Sequence, residues 1–224
     1  METLLVINAH PTVDSEKSVS LQVLGRFLQE YRKVNPDGPI DRIDLYRDYV
    51  PGIDATFLSA WDKRRNGEPQ NEDELRISER MSEIMRQFKR ANKYVIAMPV
   101  HNFNIPSKLK DYMDNIIIPK ETYHYTEKGS AGLLTDGRSL LVIQASDAVY
   151  TNNDWYTEVE YSHKYLKSIF NFLGVMDYRI IRAQGKYSFG REAQLAKAYQ
   201  EAEMAAAALA GKPAEAKRTN APAG

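Results

Sequence analysis

The sequence predicts an α/β fold: a doubly wound, mostly parallel five-stranded sheet with helices on both faces. Three observations carry that reading. Five short segments rich in apolar and β-forming residues alternate with segments of helical period, the order that a sheet covered on both sides requires. The first of them, Thr3–Asn8, is a near-continuous apolar run, as a buried strand is. The 224 residues suffice for one α/β domain, over 1–210, to bury a sizeable core, and no internal repeat divides them.

After the first strand, Val19, Leu24, Phe27, Leu28 and Tyr31 recur near a spacing of 3.6 and predict an amphipathic helix, stopped by Asn35, Pro36, Gly38 and Pro39. Ile40–Leu45 reads as a second strand interrupted by charges. In 46–71, Phe57, Leu58 and Trp61 point to a short helix between the breakers Pro51, Gly52, Gly67 and Pro69. Leu75, Met81, Ile84, Met85 and Phe88 define the next long helix, and Lys93–Pro99 a third strand. Pro106–Ile118 is helical, with proline early, where it has no hydrogen bond to lose. Thr122–Thr126 alternates and pairs with the residues after Gly129 as a small hairpin. Leu140–Ala145 is the fourth strand, Val159–Leu173 a helix closed by Gly174, Tyr178–Ala183 the fifth strand, and Arg191–Ala210 the last helix. Residues 211–224 read as a frayed tail.

Composition narrows the function. The formal net charge is zero, so no long-range field draws the chain to nucleic acid or to an anionic membrane. There is no cysteine, which excludes disulfides, thiolate metal sites and cysteine nucleophiles and fits a reducing, cytoplasmic setting. The start METLLVINAH is a poor signal peptide, and apolar runs such as Tyr94–Val100 are too short to span a bilayer. The histidines at 10, 101, 124 and 163 lack metal-ligand spacing, and neither GxSxG nor HExxH occurs. No metal and no side-chain nucleophile are expected.

In open parallel sheets ligands sit outside the carboxyl ends of the strands, where strand order reverses. That singles out three loops. His10-Pro11-Thr12-Val13-Asp14-Ser15-Glu16-Lys17-Ser18-Val19-Ser20 has no glycine, so it is neither a phosphate-binding Walker loop nor a dinucleotide fingerprint. It brings Ser18 and Ser20 to a helix start, whose free N–H groups suit a phosphate. On spacing alone the plainer reading is that Ser18 caps the helix and His10 is a loop residue. Pro99-Val100-His101-Asn102-Phe103-Asn104-Ile105-Pro106 is a stiff loop offering amides and an aromatic surface to a flat heteroaromatic ligand, or simply a turn with a buried Phe. Ala145-Ser146-Asp147-Ala148 is small and polar and, by itself, unremarkable.

The stretch PVHNFNIPSKLKDYMDNI followed by TYHYTEKGSAGLL resembles the signature region of the FMN-dependent NADH-azoreductase family, within the flavodoxin-like quinone reductases. That family has a Pro-x-x-Asn-Phe-x-Ile-Pro loop, a Leu-Lys helix and a Tyr-Thr-Glu-x-Gly segment. Ser-Val-Ser-Leu at 18–21 is similar to its hydroxyl-rich phosphate loop, and the resemblance runs from about Thr3 to Ala210. It implies a flavodoxin-like fold and FMN as cofactor, with His10 among the cofactor-binding residues and Ser18 and Ser20 on the phosphate. This reverses the order of the two readings of the first loop. Val100, His101, Asn102 and Phe103 would line the isoalloxazine ring, mainly through backbone groups, with Ala145, Ser146, Asp147 and Ala148 near its edge. It further implies a homodimer with FMN at the interface. Tyr125 and Phe172 would border the substrate pocket, Phe172 from the partner subunit. Two departures stand out. His101 sits where many relatives carry Tyr or Trp, and Ala145–Ala148 replaces a loop with two adjacent glycines.

The implied reaction is a ping-pong relay. NADH or NADPH reduces FMN, and an azo compound or quinone then takes the electrons, the protein orienting and tuning the flavin. An electron carrier without its own substrate is the alternative, but such carriers are usually shorter and acidic. A response regulator would need an acidic pocket at the strand ends, whereas strand one ends in Asn8.

Overall fold

A computed structural model of the chain describes residues 2–211. In chain order the strands are β1 (Leu4–Asn8), β2 (Ile40–Asp44), β3 (Lys93–Pro99), β4 (Tyr123–Thr126), β5 (Gly129–Gly132), β6 (Ser139–Ala145) and β7 (Asp177–Ala183). The helices are α1 (Val19–Val34), α2 (Ala55–Asn66), α3 (Glu72–Arg90), α4 (Ser107–Ile116), α5 (Trp155–Glu158), α6 (Tyr161–Leu173), α7 (Lys186–Phe189) and α8 (Arg191–Ala210). Five strands pair in parallel in the order β2-β1-β3-β6-β7, while β4 and β5 form a separate antiparallel hairpin. All five expected sheet strands and the hairpin are therefore present. Of the tail read as frayed, 212–224 lie outside the described residues.

The sheet is buried on both faces, which is why its central strands read as continuous apolar runs rather than alternating ones. Leu4 to Ile7 are all fully buried yet point to opposite sides. Leu5 and Ile7 pack with Ile84 and Phe88 of α3, Leu109 and Tyr112 of α4 and Phe170 of α6. Leu4 and Val6 pack with Val23 and Phe27 of α1 and Ala198, Ala202 and Ala206 of α8. Full burial of each such aliphatic side chain contributes roughly 1.5–3 kcal/mol. The alanines at 198, 202 and 206 make a low ridge at i, i+4 spacing, so α8 lies close against α1.

The segment 46–71 resolves into α2 packed on α3 through Phe57, Ala60, Ile77 and Met81. Asn71 and Glu74 form a reciprocal capping box at the start of α3. The buried Glu74 carboxylate also takes hydrogen bonds from Lys63 (2.8 Å) and Ser59 (2.6 Å) of α2. Those bonds, first of all that from Lys63, hold its pKa down to about 2. Because the folded pKa lies below the unfolded one, the stabilisation is complete above the ordinary carboxylate range and fades as pH falls toward 2. A Glu74→Gln protein is therefore expected to be less stable than the parent at pH 7. The gap between their urea midpoints should close between about pH 4.5 and pH 2; a gap that stays constant would show that the charge on Glu74 does not matter.

Leu58 and Leu75, expected on apolar helix faces, are exposed. The helix expected over Val159–Leu173 begins instead at Tyr161. Asp154 caps the short α5, and Glu160 leaves helical backbone (φ −71°, ψ 62°). The physical reason is long-range: the buried Glu160 carboxylate is gripped by Arg182 of β7 (2.7 and 2.9 Å) and by Gln144 of β6 (2.9 Å). Ser162 donates to the same Gln144 at 2.8 Å, so the start of α6 is tied to the sheet by one polar network.

Candidate functional site

Chain order places β2 on one side of β1 and β3 on the other, so the winding reverses between β1 and β3. The loops leaving Asn8, Pro99 and Ala145 meet at this carboxyl edge.

Asn8 is fully buried and organises the first loop. Its Nδ2 donates to Val13 C=O (3.1 Å) and Asp44 Oδ1 (2.7 Å), and its Oδ1 accepts from His10 N–H (3.1 Å). Thr12 N–H donates to His10 Nδ1 at 3.0 Å, fixing the imidazole in the loop. Ser18 is the N-cap of α1 and accepts from Leu21 N–H at 3.3 Å. Its Oγ is 3.1 Å from Oγ of Ser20, a side chain with no exposed surface. Cap and anion donor do not exclude each other, because an oxygen that accepts the Leu21 N–H keeps its own O–H. Among the described residues the N–H groups of Val19 and Ser20 have no partner. Two hydroxyls and two amides thus meet at the positive end of a 16-residue helix.

The second loop is a two-residue reverse turn. His101 N–H donates to Asn104 C=O (3.0 Å) and Asn104 N–H to His101 C=O (2.9 Å). Both central residues are left-handed, Asn102 at φ 48° and Phe103 at φ 67°. Such turns favour Asn and Gly. For a phenylalanine the conformation costs roughly 1–3 kcal/mol and persists only where surrounding contacts hold it. The turn is held from outside: Ser162 N–H donates to Phe103 C=O (3.2 Å), and the Phe103 ring meets the edge of Trp155 at 5.3 Å and leans on Tyr156 at 6.5 Å. Val100 N–H is spent on Ala145 C=O (2.8 Å) and His101 N–H inside the turn, which leaves the amides of Asn102 and Phe103 uncommitted.

In the third loop Ser146 N–H donates to Ala183 C=O (3.0 Å), and Ser146 Oγ to Ala148 C=O (2.9 Å). No residue from Ala145 to Ala148 has positive φ, so the loop has no conformational need of glycine. Asp147 is exposed and, among the described residues, has no partner.

Tyr125 and Phe172 lie together elsewhere. Tyr123, not singled out by the sequence, joins them: its ring is 5.6 Å from Tyr125 and 5.1 Å from Phe172. The β4–β5 hairpin abuts the end of α6 so closely that a Cβ on Gly132 would come within 2.2 Å of the Leu173 carbonyl carbon. Ser162, at the start of α6, touches the Phe103 turn, and Phe172 stands ten residues further along the helix. At ~1.5 Å rise per residue that is about 15 Å away. Within one chain this aromatic cluster does not border the strand-end loops, although Tyr125 is 72% exposed and free to meet another surface.

At the strand ends the donor set fits one phosphomonoester on α1 and one flat ring beside the Asn102–Phe103 amides. The sequence passed over Asn8 and the residues that brace the turn, Gln144, Glu160, Ser162 and Arg182. Only buried polar residues at strand ends signal them.

Comparison with known proteins agrees with this fold. A family model described as flavodoxin-like fold matches residues 2–206. An FMN-dependent NADH:quinone oxidoreductase 1 of Bacillus cereus is 58% identical over 213 residues, covering 95% of this chain and 100% of that protein. A Lactiplantibacillus plantarum protein of the same designation is 38% identical, over 85% of this chain and 89% of its own. The crystal structure of an FMN-dependent NADH-azoreductase from Bacillus anthracis str. Ames Ancestor, in complex with FMN, superposes with a TM-score of 0.92 at 57% identity, covering 94% of this chain and 100% of that one.

Proposed function

Because this chain belongs to the flavodoxin-like fold family, we propose that it is an FMN-dependent oxidoreductase passing electrons from NADH to quinones or azo compounds. The observation that carries the reading is the donor set at the β1/β3 crossover: the Ser18–Ser20 hydroxyl pair and the unpartnered first-turn amides on one side, the Asn102 and Phe103 amides on the other.

When bound, FMN accepts a hydride from NADH and yields electrons to the acceptor. The chain's own residues bind and orient it. Ser18 and Ser20 donate to its phosphate, with His10 alongside. The strained turn sets two amides at a fixed height against the ring, and Val100 and His101 give the turn its shape. Ala145, Ser146, Asp147 and Ala148 close the edge. Donor and acceptor exchange at one site in a ping-pong cycle. The reaction belongs in the cytoplasm, in keeping with the lack of cysteine; no described helix is long and apolar enough to cross a membrane.

The cleft is completed by a second copy of the chain. The distance between the Tyr123–Tyr125–Phe172 cluster and the strand-end loops supports this, since those aromatics reach a flavin only from the partner. After incubation with FMN and desalting, the protein is expected to be yellow and to oxidise NADH when a quinone or azo acceptor is present. It should retain FAD poorly, and the yellow species should sediment as a dimer. A colourless protein refutes the flavin reading. A yellow species of 25.6 kDa alone refutes the two-chain site.

Asp147 tunes the cofactor. A carboxylate beside a bound flavin opposes the negative charge that reduction adds, by on the order of a few kcal/mol at several ångströms in a medium of intermediate dielectric. Asp147→Asn keeps the shape and removes the charge, so the FMN midpoint potential should rise; Asp147→Gly should raise it too while freeing the backbone. If spectroelectrochemistry finds the same midpoint in all three proteins, Asp147 only shapes the turn.

A further inference from the structure

A cavity of about 740 Å³ opens between α2, the second half of α3 and the turn after α4. Its floor is apolar: Trp61, Met81, Met85 and Ile118. Trp61 and Ile118 pack on the same small cluster that joins α2 to α3. The walls are cationic. Three of the cations are neutralised, Arg65 by Asp62 (3.0 Å), Lys89 by Glu121 (2.8 Å) and Arg90 by Asp41. Three are not. Arg64 donates only to neutral oxygens, Ser78 C=O at 3.2 Å and Ser82 Oγ at 2.9 Å. The side chains of Arg86 and Lys120 have no hydrogen-bond or ion-pair partner among the described residues.

The net charge of the chain is zero, so this is a local concentration of positive charge and not part of a general field. The Lys120 backbone is left-handed at φ 68°, an unfavourable conformation for lysine. It is fixed there by Lys120 N–H donating to Tyr123 C=O at 2.7 Å. The cavity has the volume of a small-molecule site. A purely inorganic anion would leave its floor unused, and a neutral apolar ligand would leave three cations unmatched. Tryptophan and methionine favour aromatic partners, and the arginine plane stacks on rings while its fork takes a carboxylate or sulfonate.

We propose that this cavity binds an aromatic anion, a flat ring on the Trp61–Met85 floor with its carboxylate or sulfonate between Arg64, Arg86 and Lys120. The cavity is separate from the flavin loops of its own chain. The end of α3 leads into the start of β3, whereas the Asn102–Phe103 turn lies beyond the far end of that seven-residue strand, ~20 Å away.

The test is calorimetric titration of the full chain, in excess FMN, with 2-naphthoate and its neutral analogue 2-naphthamide. Naphthoate should bind, with an affinity that falls as salt is raised, and naphthamide at least about tenfold more weakly. The double variant Arg86→Glu/Lys120→Glu should lose naphthoate affinity by about tenfold or more while FMN binding and sedimentation stay unchanged. Trp61→Ala should weaken naphthoate and naphthamide alike. Four results would overturn the proposal. Naphthoate does not bind at millimolar concentration. It binds the charge-reversal variant undiminished. It is displaced by NADH, which would place it in the flavin cleft. Or the variant sediments differently from the parent, which would make this face a subunit contact.

Discussion

The Ser18→Ala/Ser20→Ala protein is expected to bind FMN about a hundredfold more weakly than the parent. On the proposed reading the two hydroxyls donate to a doubly charged phosphate, and a hydrogen bond to a charged group contributes ~1.5–3 kcal/mol. Even the lower figure for each of the two amounts to about two decades in Kd. Ser18 has a second task, because it caps α1 through Leu21 N–H, and losing a cap costs the helix about 1 kcal/mol. The single variants separate the two effects. Ser20→Ala removes a hydroxyl whose one partner among the described residues is Ser18 Oγ and which caps nothing. It should lower FMN affinity with little change in urea midpoint, whereas Ser18→Ala should lower both. Fluorescence titration of FMN against the apoprotein reads the affinities. An unchanged Kd in the double variant, with only the midpoint reduced, would leave the hydroxyls as helix-start chemistry and nothing more.

Glu160→Ala should lower the unfolding free energy by about 2–3 kcal/mol. Removing one partner of a buried ion pair typically costs ~3–5 kcal/mol, because the other charge is left without compensation. The Glu160 side chain is 5% exposed and that of Arg182 23%, so water recovers part of the loss at Arg182 and the lower figure applies. The damage does not stop at the pair. Gln144 loses an acceptor, Ser162 is held less firmly, and the Phe103 carbonyl loses a well-placed donor. FMN affinity should therefore fall with stability. Glu160→Gln keeps a side-chain oxygen for Gln144 and Arg182 and should recover part of both. An Ala variant within 0.5 kcal/mol of the parent in urea unfolding, about the size of an ordinary surface change, would show that Arg182 is solvated without its partner.

These sites differ in how far the sequence discloses them. Strands buried on both faces have no alternative to apolar runs, so β1, β3 and β6 are plain from residue type alone, and with them the three loops at their carboxyl ends. Val23, Phe27 and Tyr31 repeat at helical spacing because one stripe of α1 faces Leu4 and Val6. The break at Glu160 is not legible. Nothing local distinguishes that glutamate from a solvated one, and its partner Arg182 lies on another element, 22 residues on. The same holds for the Phe103 turn: an Asn-Phe pair does not announce two left-handed residues, and only the Ser162 and Trp155 contacts explain why the strain persists. Tyr125 and Phe172 are recognisable through family likeness, but Tyr123, which links them, carries no motif. That the third loop runs here without a left-handed residue becomes visible only with its backbone angles.

The packing of α8 on α1 sets a constraint on how the chain is made. The apolar stripe of α1, with Val23 and Phe27, leaves the ribosome early, yet the alanine ridge that covers it begins beyond Arg191. At a translation rate of ~5–20 residues per second, the stripe waits roughly 9–34 s for its cover. During that interval one face of the nascent sheet is open to water, to chaperones and to other unfinished chains. The face built from α3, α4 and α6 can consolidate first, while the opposite face closes only once α8 has been made.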